Sequence, residues 1–225
     1  MQVKSLFLAG ALSLASLTMP ASAFAQEAFF NAPVATRQAD ETGVQTAVFA
    51  GGCFWGIEAI FSHVRGVTSA VSGYHGGTSA TATYNQVGTG NTGHAESVRV
   101  TYDPSVVRYD QLLQILFSVG ADPTLLNRQG PDVGSQYRAA IVPMTAEQRA
   151  VAQAYVRQMG RSGVWDRPMA VAIENYRAFY PAEDYHQDYL LNHPDSPYIR
   201  RWDAPKVTAL RSRFPDLYRA RYRTG

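Results

Sequence analysis

The sequence predicts a mixed α/β (α+β) fold: a ferredoxin-like split β-α-β core with a mixed sheet, packed helices and long loops. Three observations predict it. Short apolar or alternating runs trade places with stretches of helical period, in the order β-α-β-β-α-β-α-β-α, and the first six match the split plan. The clearest strand, near Glu96 to Tyr102, sets Val98, Val100 and Tyr102 on one face and Ser97, Arg99 and Thr101 on the other. The clearest helix repeats Leu112, Leu113, Ile115, Leu116 and Val119 and stops at Gly120.

Taken in order, residues 1–25 read as a secretory signal peptide. Lys4 supplies the positive start, Leu6 to Leu17 is an apolar run too short to span a bilayer with ease, and Ala23-Phe24-Ala25 is an A-x-A cleavage site. The chain is therefore expected to be exported, periplasmic or secreted, with no stable membrane association once the signal is removed. Residues 26–43 lack periodicity and read as a surface lead-in. The catalytic domain is expected over residues 44–203. It opens with a buried strand, Thr46 to Ala50, and a helix over Phe54, Ile57, Phe61 and Val64 that Gly66 can end.

Val67 to Val71 is a second strand, Gly73 to Gly77 a turn, and residues 78–93, rich in Thr, Ser, Asn and Gly, a loop. After the third strand and second helix, a polar stretch leads to a strand ending near Val142. Thr145 to Gln148 spells a capping box for a helix to about Gly160. Ala170 to Glu174 is another strand and Pro181 to Leu191 a last short helix. Residues 204–225 form a basic tail whose arginines read as a solvated face.

Chemistry concentrates at Gly51-Gly52-Cys53-Phe54-Trp55-Gly56. The one cysteine of the chain lies between a strand's end and a helix's first turn. Free backbone N–H groups and the helix dipole there stabilise a thiolate and lower its pKa. Phe54 and Trp55 offer an apolar wall. The competing reading is a buried structural cysteine; the glycines, the helix start and the aromatic pair favour a nucleophile. A lone cysteine closes no internal disulfide, so stability must come from packing.

Strand parity puts Glu96 on the apolar face, where desolvation raises a carboxyl pKa and makes it a proton donor. If the strand instead starts after Glu96, the carboxylate is solvated, and the pattern alone leaves both open. His94-Ala95-Glu96 lacks the second cysteine pair that a zinc deaminase needs, and the five histidines form no H-E-x-x-H, so no metal site is expected. A formal charge of +2 is too weak to argue for nucleic acid. Two rivals remain: a Cys-His hydrolase with His94 as its base, and a module that binds peptides without turnover.

Several stretches together resemble the peptide methionine sulfoxide reductase A family. They are Gly52 to Gly56, Gly73 to Gly77 with Thr83-Tyr84, Thr92 to Glu96, Asp122-Pro-Thr through Gly134 to Arg138, and Phe179 to Tyr189. The resemblance covers roughly residues 48–199. It implies an MsrA-like version of this fold and a peptide-methionine (S)-S-oxide reductase acting on methionine sulfoxide in proteins and free. It implies Cys53 as nucleophile, Glu96 as acid, Phe54 and Trp55 around the sulfoxide methyl, Tyr84 and Tyr137 on the sulfoxide oxygen, and Asp132 on the polar side. Many members carry recycling cysteines in the C-terminal tail; this chain has none. No bound cofactor is implied. With Cys53 alone, an external thiol, from a thioredoxin-like protein or a small molecule, must regenerate its sulfenic acid.

Overall fold

The computed structural model describes residues 28–224. The expected signal peptide, residues 1–25, lies outside them.

Among the described residues eight strands and six α-helices follow one another. They are β1 (Gln45–Gly51), α1 (Phe54–Ser62), β2 (Val67–His75), α2 (Tyr84–Val87), β3 (Ala95–Tyr102), α3 (Tyr109–Ile115), β4 (Arg128–Gln129), β5 (Asp132–Val133), β6 (Ala139–Val142), α4 (Ala146–Met159), β7 (Ala172–Ile173), β8 (Phe179–Pro181), α5 (Tyr189–Asn192) and α6 (Ala204–Arg213). Six strands form one sheet in the order β7-β6-β1-β3-β2-β8, and β4 and β5 pair as a separate hairpin. β6, β1, β3 and β2 are mutually antiparallel neighbours, the split β-α-β plan, and β7 joins parallel to β6, which makes the sheet mixed.

Period two explains the core. Ala47 and Phe49 of β1, with Val98 and Val100 of β3, turn one face to Ile57, Ile60 and Phe61 of α1 and to Leu112 and Leu113 of α3. Phe49 stacks between Phe61 and Tyr109, with ring centroids 5.1 and 5.9 Å away. On the other face Val48, Val71 and Val142 pack under Phe179. Burying one such aromatic or aliphatic side chain stabilises the fold by about 1.5–3 kcal/mol, so this alternation holds register: a one-residue slip exposes the whole set.

Several expected boundaries move, each for a long-range reason. α1 stops at Ser62, a turn before Gly66. β2 continues through His75 where a turn was expected, because β8 lies antiparallel along Gly73 to His75 and supplies a ladder. Within the expected loop 78–93, α2 forms because the Glu183 carboxylate accepts the Tyr84 N–H at 2.9 Å, from 99 residues away. The expected helix from Pro181 to Leu191 is mostly an extended strap: β8, a single turn at Asp184–His186 and the four residues of α5. The expected strand at 170–174 pairs over only two residues. The helix after Arg108 widens into a π-helical turn over Leu116–Gly120. The Thr145 hydroxyl accepts the Gln148 N–H as expected, but the Gln148 side chain reaches one residue further back, to the Met144 N–H.

Neither flank is purely surface. In the lead-in Ala32 and Ala35 are buried, and Tyr155 of α4 donates its hydroxyl to the Pro33 carbonyl at 2.8 Å. In the basic tail Arg211, Arg213, Arg221 and Arg223 are exposed, but Lys206, Ala209 and Leu210 of α6 are buried, and Arg219 caps the end of α1 by donating to the Ser62 carbonyl from Nε and Nη2. No described helix is long and apolar enough to cross a membrane.

Candidate active site

β1 ends at Gly51 and α1 begins at Phe54, so Gly52 and Cys53 make the entire turn between them. Gly52 has φ +90°, and a Cβ there would sit 2.6 Å from that of Gln129. Gln129 cannot yield, because its amide clasps the Asp122 backbone with two 2.9 Å hydrogen bonds. Only glycine meets both demands. Cys53 falls at the N-cap of α1 with 8% of its surface exposed. One turn on, Gly56 leaves space for Asp203, whose Oδ1 a Cβ would strike. Lys206 Nζ stands 3.6 Å from that same oxygen.

Glu96 lies near the start of β3, opposite Tyr74 of β2, and is 3% exposed. The strand therefore begins before it, which settles the parity question in favour of a buried carboxyl. Its Oε2 accepts the Phe54 N–H at 3.0 Å. Burial, helped by the Asp132 and Asp203 carboxylates, pushes its pKa up to about 8 against the opposing pull of the Phe54 N–H. At neutral pH Glu96 holds a proton, and its second oxygen can offer it.

The thiol departs from expectation. Burial first, then the carboxylates of Asp203, Glu96 and Asp132, push the Cys53 pKa well above its ordinary value, and the Trp55 N–H opposes them only weakly. The helix start contributes only that one N–H, because its first is already spent on Glu96. Since Glu96 is itself protonated at neutral pH, burial, Asp203 and Asp132 account for the rise. Cys53 rests as a thiol.

A pocket of about 330 Å³ opens onto this pair, lined by Cys53, Phe54, Trp55, Tyr84, Glu96, Asp132 and Tyr137, all singled out from the sequence, together with Tyr189, Ser196 and Tyr198. Trp55 donates its indole N–H to His186 Nδ1 at 3.1 Å and lies flat on Tyr189, with centroids 3.8 Å apart and planes 8° from parallel. Phe54 packs against Tyr74 and His186. The wall facing Glu96 is thus aromatic.

The rest of the lining is polar and adjoins this wall, the Tyr84 ring lying 4.3 Å from His186. Tyr84 is placed by the Glu183 carboxylate, which also accepts the Tyr74 hydroxyl at 2.8 Å. Tyr137 ends a single turn, Ser135–Tyr137, that is sewn to the preceding loop: Ser135 Oγ donates to the Gly90 carbonyl at 2.6 Å and Gln136 Nε2 to that of Gly88 at 3.2 Å. Arg138 locks the same turn by donating to Ser135 O and to Glu174. Burial, then the nearby Glu96 carboxylate, raise both phenols, Tyr84 to about 12, so both remain O–H donors. Asp132, on the hairpin, accepts the Tyr198 hydroxyl at 2.5 Å.

His94, expected as the base of a hydrolase, is not in the pocket. Its Nδ1 accepts the Gly77 N–H at 3.2 Å and its Nε2 faces the Thr78 carbonyl at 3.0 Å, so both nitrogens serve a loop. His186 comes nearer, but its Nδ1 is taken by Trp55. The family resemblance sets the Phe179 to Tyr189 segment beside the pocket, but sequence reasoning singled out neither Tyr189 nor Tyr198 as a lining residue. The aromatic series Tyr180, Tyr185, Tyr189, Tyr198, which has no helical period, was the available signal for a wall rather than a core. Among the described residues no group of three or more His, Cys, Asp or Glu is arranged to hold a metal ion.

Comparison with known proteins gives a single direction. The family model for peptide methionine sulfoxide reductase matches residues 45–217. A protein named peptide methionine sulfoxide reductase MsrA 2 from Mesorhizobium japonicum is 53% identical over 176 residues, covering 78% of this chain and 90% of its own. One of the same name from Synechocystis is 52% identical, covering 79% and 83%. Among solved structures, Mxr1 of Saccharomyces cerevisiae in reduced form is 30% identical, with a TM-score of 0.61 over 72% of this chain and 92% of that one. Methionine sulfoxide reductase A of Corynebacterium diphtheriae is 33% identical, with a TM-score of 0.58 over 68% and 77%.

Proposed function

The chain belongs to the peptide methionine sulfoxide reductase family, and we propose that it performs that reduction in the pocket around Cys53. It is an oxidoreductase that returns methionine sulfoxide in proteins to methionine. The observation that carries the site assignment is a buried carboxyl, still protonated at neutral pH, held by the backbone N–H of the residue after the lone cysteine.

The sulfoxide methyl rests against Phe54 and Trp55. The oxygen turns to Glu96 and to the hydroxyls of Tyr84 and Tyr137. As Cys53 sulfur attacks the sulfoxide sulfur, Glu96 gives its proton to the oxygen. The carboxylate so formed can accept the proton the thiol must lose, which is how a thiol of high pKa becomes a nucleophile only with substrate bound. The S–O bond breaks, the hydroxyl passes to Cys53 as a sulfenic acid, and methionine leaves. The substrate sulfur gains two electrons and Cys53 loses two. Two equivalents of an external thiol then return Cys53 to the thiol, releasing a disulfide and water.

On this reading the substrate is the S epimer, in proteins or free, supported by the resemblance to reductase A; the other epimer needs its own enzyme. The reductant is a thioredoxin-like protein or a small thiol, supported by the single cysteine. The chain works after export, in a periplasm or outside the cell, supported by the signal-like residues 1–25. The test uses the mature protein with racemic methionine sulfoxide. With dithiothreitol it should turn over half of the racemate and stop. Without reductant it should release one methionine per chain and leave monomer carrying one added oxygen. Cys53→Ser should do neither. Consumption of both epimers, or turnover by Cys53→Ser, contradicts the scheme.

A further inference from the structure

α1 carries a second buried acid that the reaction does not use. Glu58 is fully buried, one turn beyond Phe54 and three residues beyond Trp55. Its carboxyl faces the 183–192 strap rather than the pocket. The Asp188 N–H is shared between its two oxygens at 3.2 Å each, and the Ser72 hydroxyl donates to Oε2 at 3.0 Å. Gln187 completes the junction: its amide accepts the Ser72 N–H and donates to the Ser72 and Ala182 carbonyls. Asp188 is one of two described non-glycine residues with positive φ, at 53°, so the strap turns sharply where Glu58 receives it.

What the strap carries decides the consequence. Two residues before this turn, His186 accepts the Trp55 indole N–H; one residue after it, Tyr189 stacks on the Trp55 ring. Five residues before it, Glu183 fixes the backbone of Tyr84. Glu58 and Trp55 stand on the same helix, so a bond from Glu58 to the strap sets the distance between the Trp55 face and its two partners. Burial pushes the Glu58 pKa up to about 8, so near pH 7 it is neutral, and glutamine is its close mimic.

We propose that Glu58 is a positioning residue that docks the 183–192 strap onto the catalytic helix and so fixes the Trp55 wall against which the sulfoxide methyl is held. The proposal rests on the placement of substrate given above. It assigns Glu58 to binding, not to the proton and electron transfers at Cys53.

Steady-state rates with methionine sulfoxide and dithiothreitol at pH 7 test it. Glu58→Met keeps the stem but removes the acceptors, leaving the part-buried Asp188 N–H without the one it has in Glu58. KM should rise roughly tenfold, the usual scale for an orphaned buried donor, with kcat within about twofold of wild type. Glu58→Gln should restore KM to within about twofold, since its amide oxygen can accept the same N–H. A purely structural role predicts the reverse: fewer folded molecules lower the apparent kcat and leave KM alone. That result, or an unchanged KM in Glu58→Met, overturns the proposal. If Glu58→Met does not fold, Ser72→Ala, which removes one donor and spares the Gln187 clasp, should raise KM by about twofold to threefold, and an unchanged KM there overturns it equally. Wild-type protein that reduces no sulfoxide refutes the pocket reading instead, so the two failures are distinct.

Discussion

Replacing Glu96 by glutamine removes one proton and almost nothing else. The amide oxygen can still accept the Phe54 N–H that Glu96 accepts at 3.0 Å, which turns an N–H toward the substrate oxygen. That N–H can hydrogen-bond to the oxygen but cannot give it a proton. With a pKa of about 8, about nine in ten Glu96 side chains are protonated at pH 7; at the ordinary carboxyl value fewer than about one in a hundred would be. Burial therefore multiplies the available acid by more than about a hundredfold. Positioned general acids contribute about 10²–10⁴-fold, and Glu96→Gln is expected to slow methionine release by at least about 10²-fold.

The sign of the pH effect follows. The wild-type rate should hold below pH 8 and fall as pH rises through it, because the acid is lost by deprotonation. Glu96→Gln should have no such limb. The assay is methionine released in one turnover without reductant, between pH 5.5 and 9.5, so that regeneration of Cys53 cannot mask the chemical step. A Glu96→Gln rate near wild type, or an alkaline limb that persists at the same pH in the variant, refutes Glu96 as the donor.

Two further outcomes follow from the same geometry. Because burial and neighbouring carboxylates raise the Cys53 pKa, iodoacetamide should alkylate the substrate-free protein more slowly than it alkylates glutathione at pH 7, with the rate still climbing above pH 9; rapid labelling at pH 6 would mean a stable resting thiolate. Gly56→Ala drives a methyl group into the buried Asp203 carboxylate and against the Lys206 side chain, and urea unfolding should show a loss of about 1–3 kcal/mol, whereas unchanged stability would mean that these two side chains give way freely.

How much the sequence revealed depended on the range of the interaction. The strand at Glu96 was legible because alternation is local, and its parity pointed at the carboxyl that the structure buries. The turn at Gly52-Cys53 was legible for the same reason. α2 was not, because its start is fixed by Glu183, nearly half the chain away. The strap over 181–191 looked helical in composition but is governed by Ser72 and Glu58 on other elements. The thiol's proton affinity was misread since the dipole argument counts only the helix itself. It could not know that Glu96 takes the first N–H and that Asp203, from the far end of the chain, stands beside the next turn. Tyr198 escaped for want of any periodic signal.

The clasp of Arg219 on the Ser62 carbonyl spans 157 residues, and Asp203 reaches Gly56 across nearly as many. α1 is thus closed, at its start and at its end, by residues far downstream in the chain. The folding chain can pair β1 with β3 early, yet it cannot finish the surroundings of its own nucleophile until Asp203 and Arg219 have come back to α1. Contacts of such separation form late, since their loop-closure cost must be met before they stabilise anything. The separation therefore acts on assembly: a chain in which those downstream residues have not yet docked carries the cysteine but not its finished surroundings.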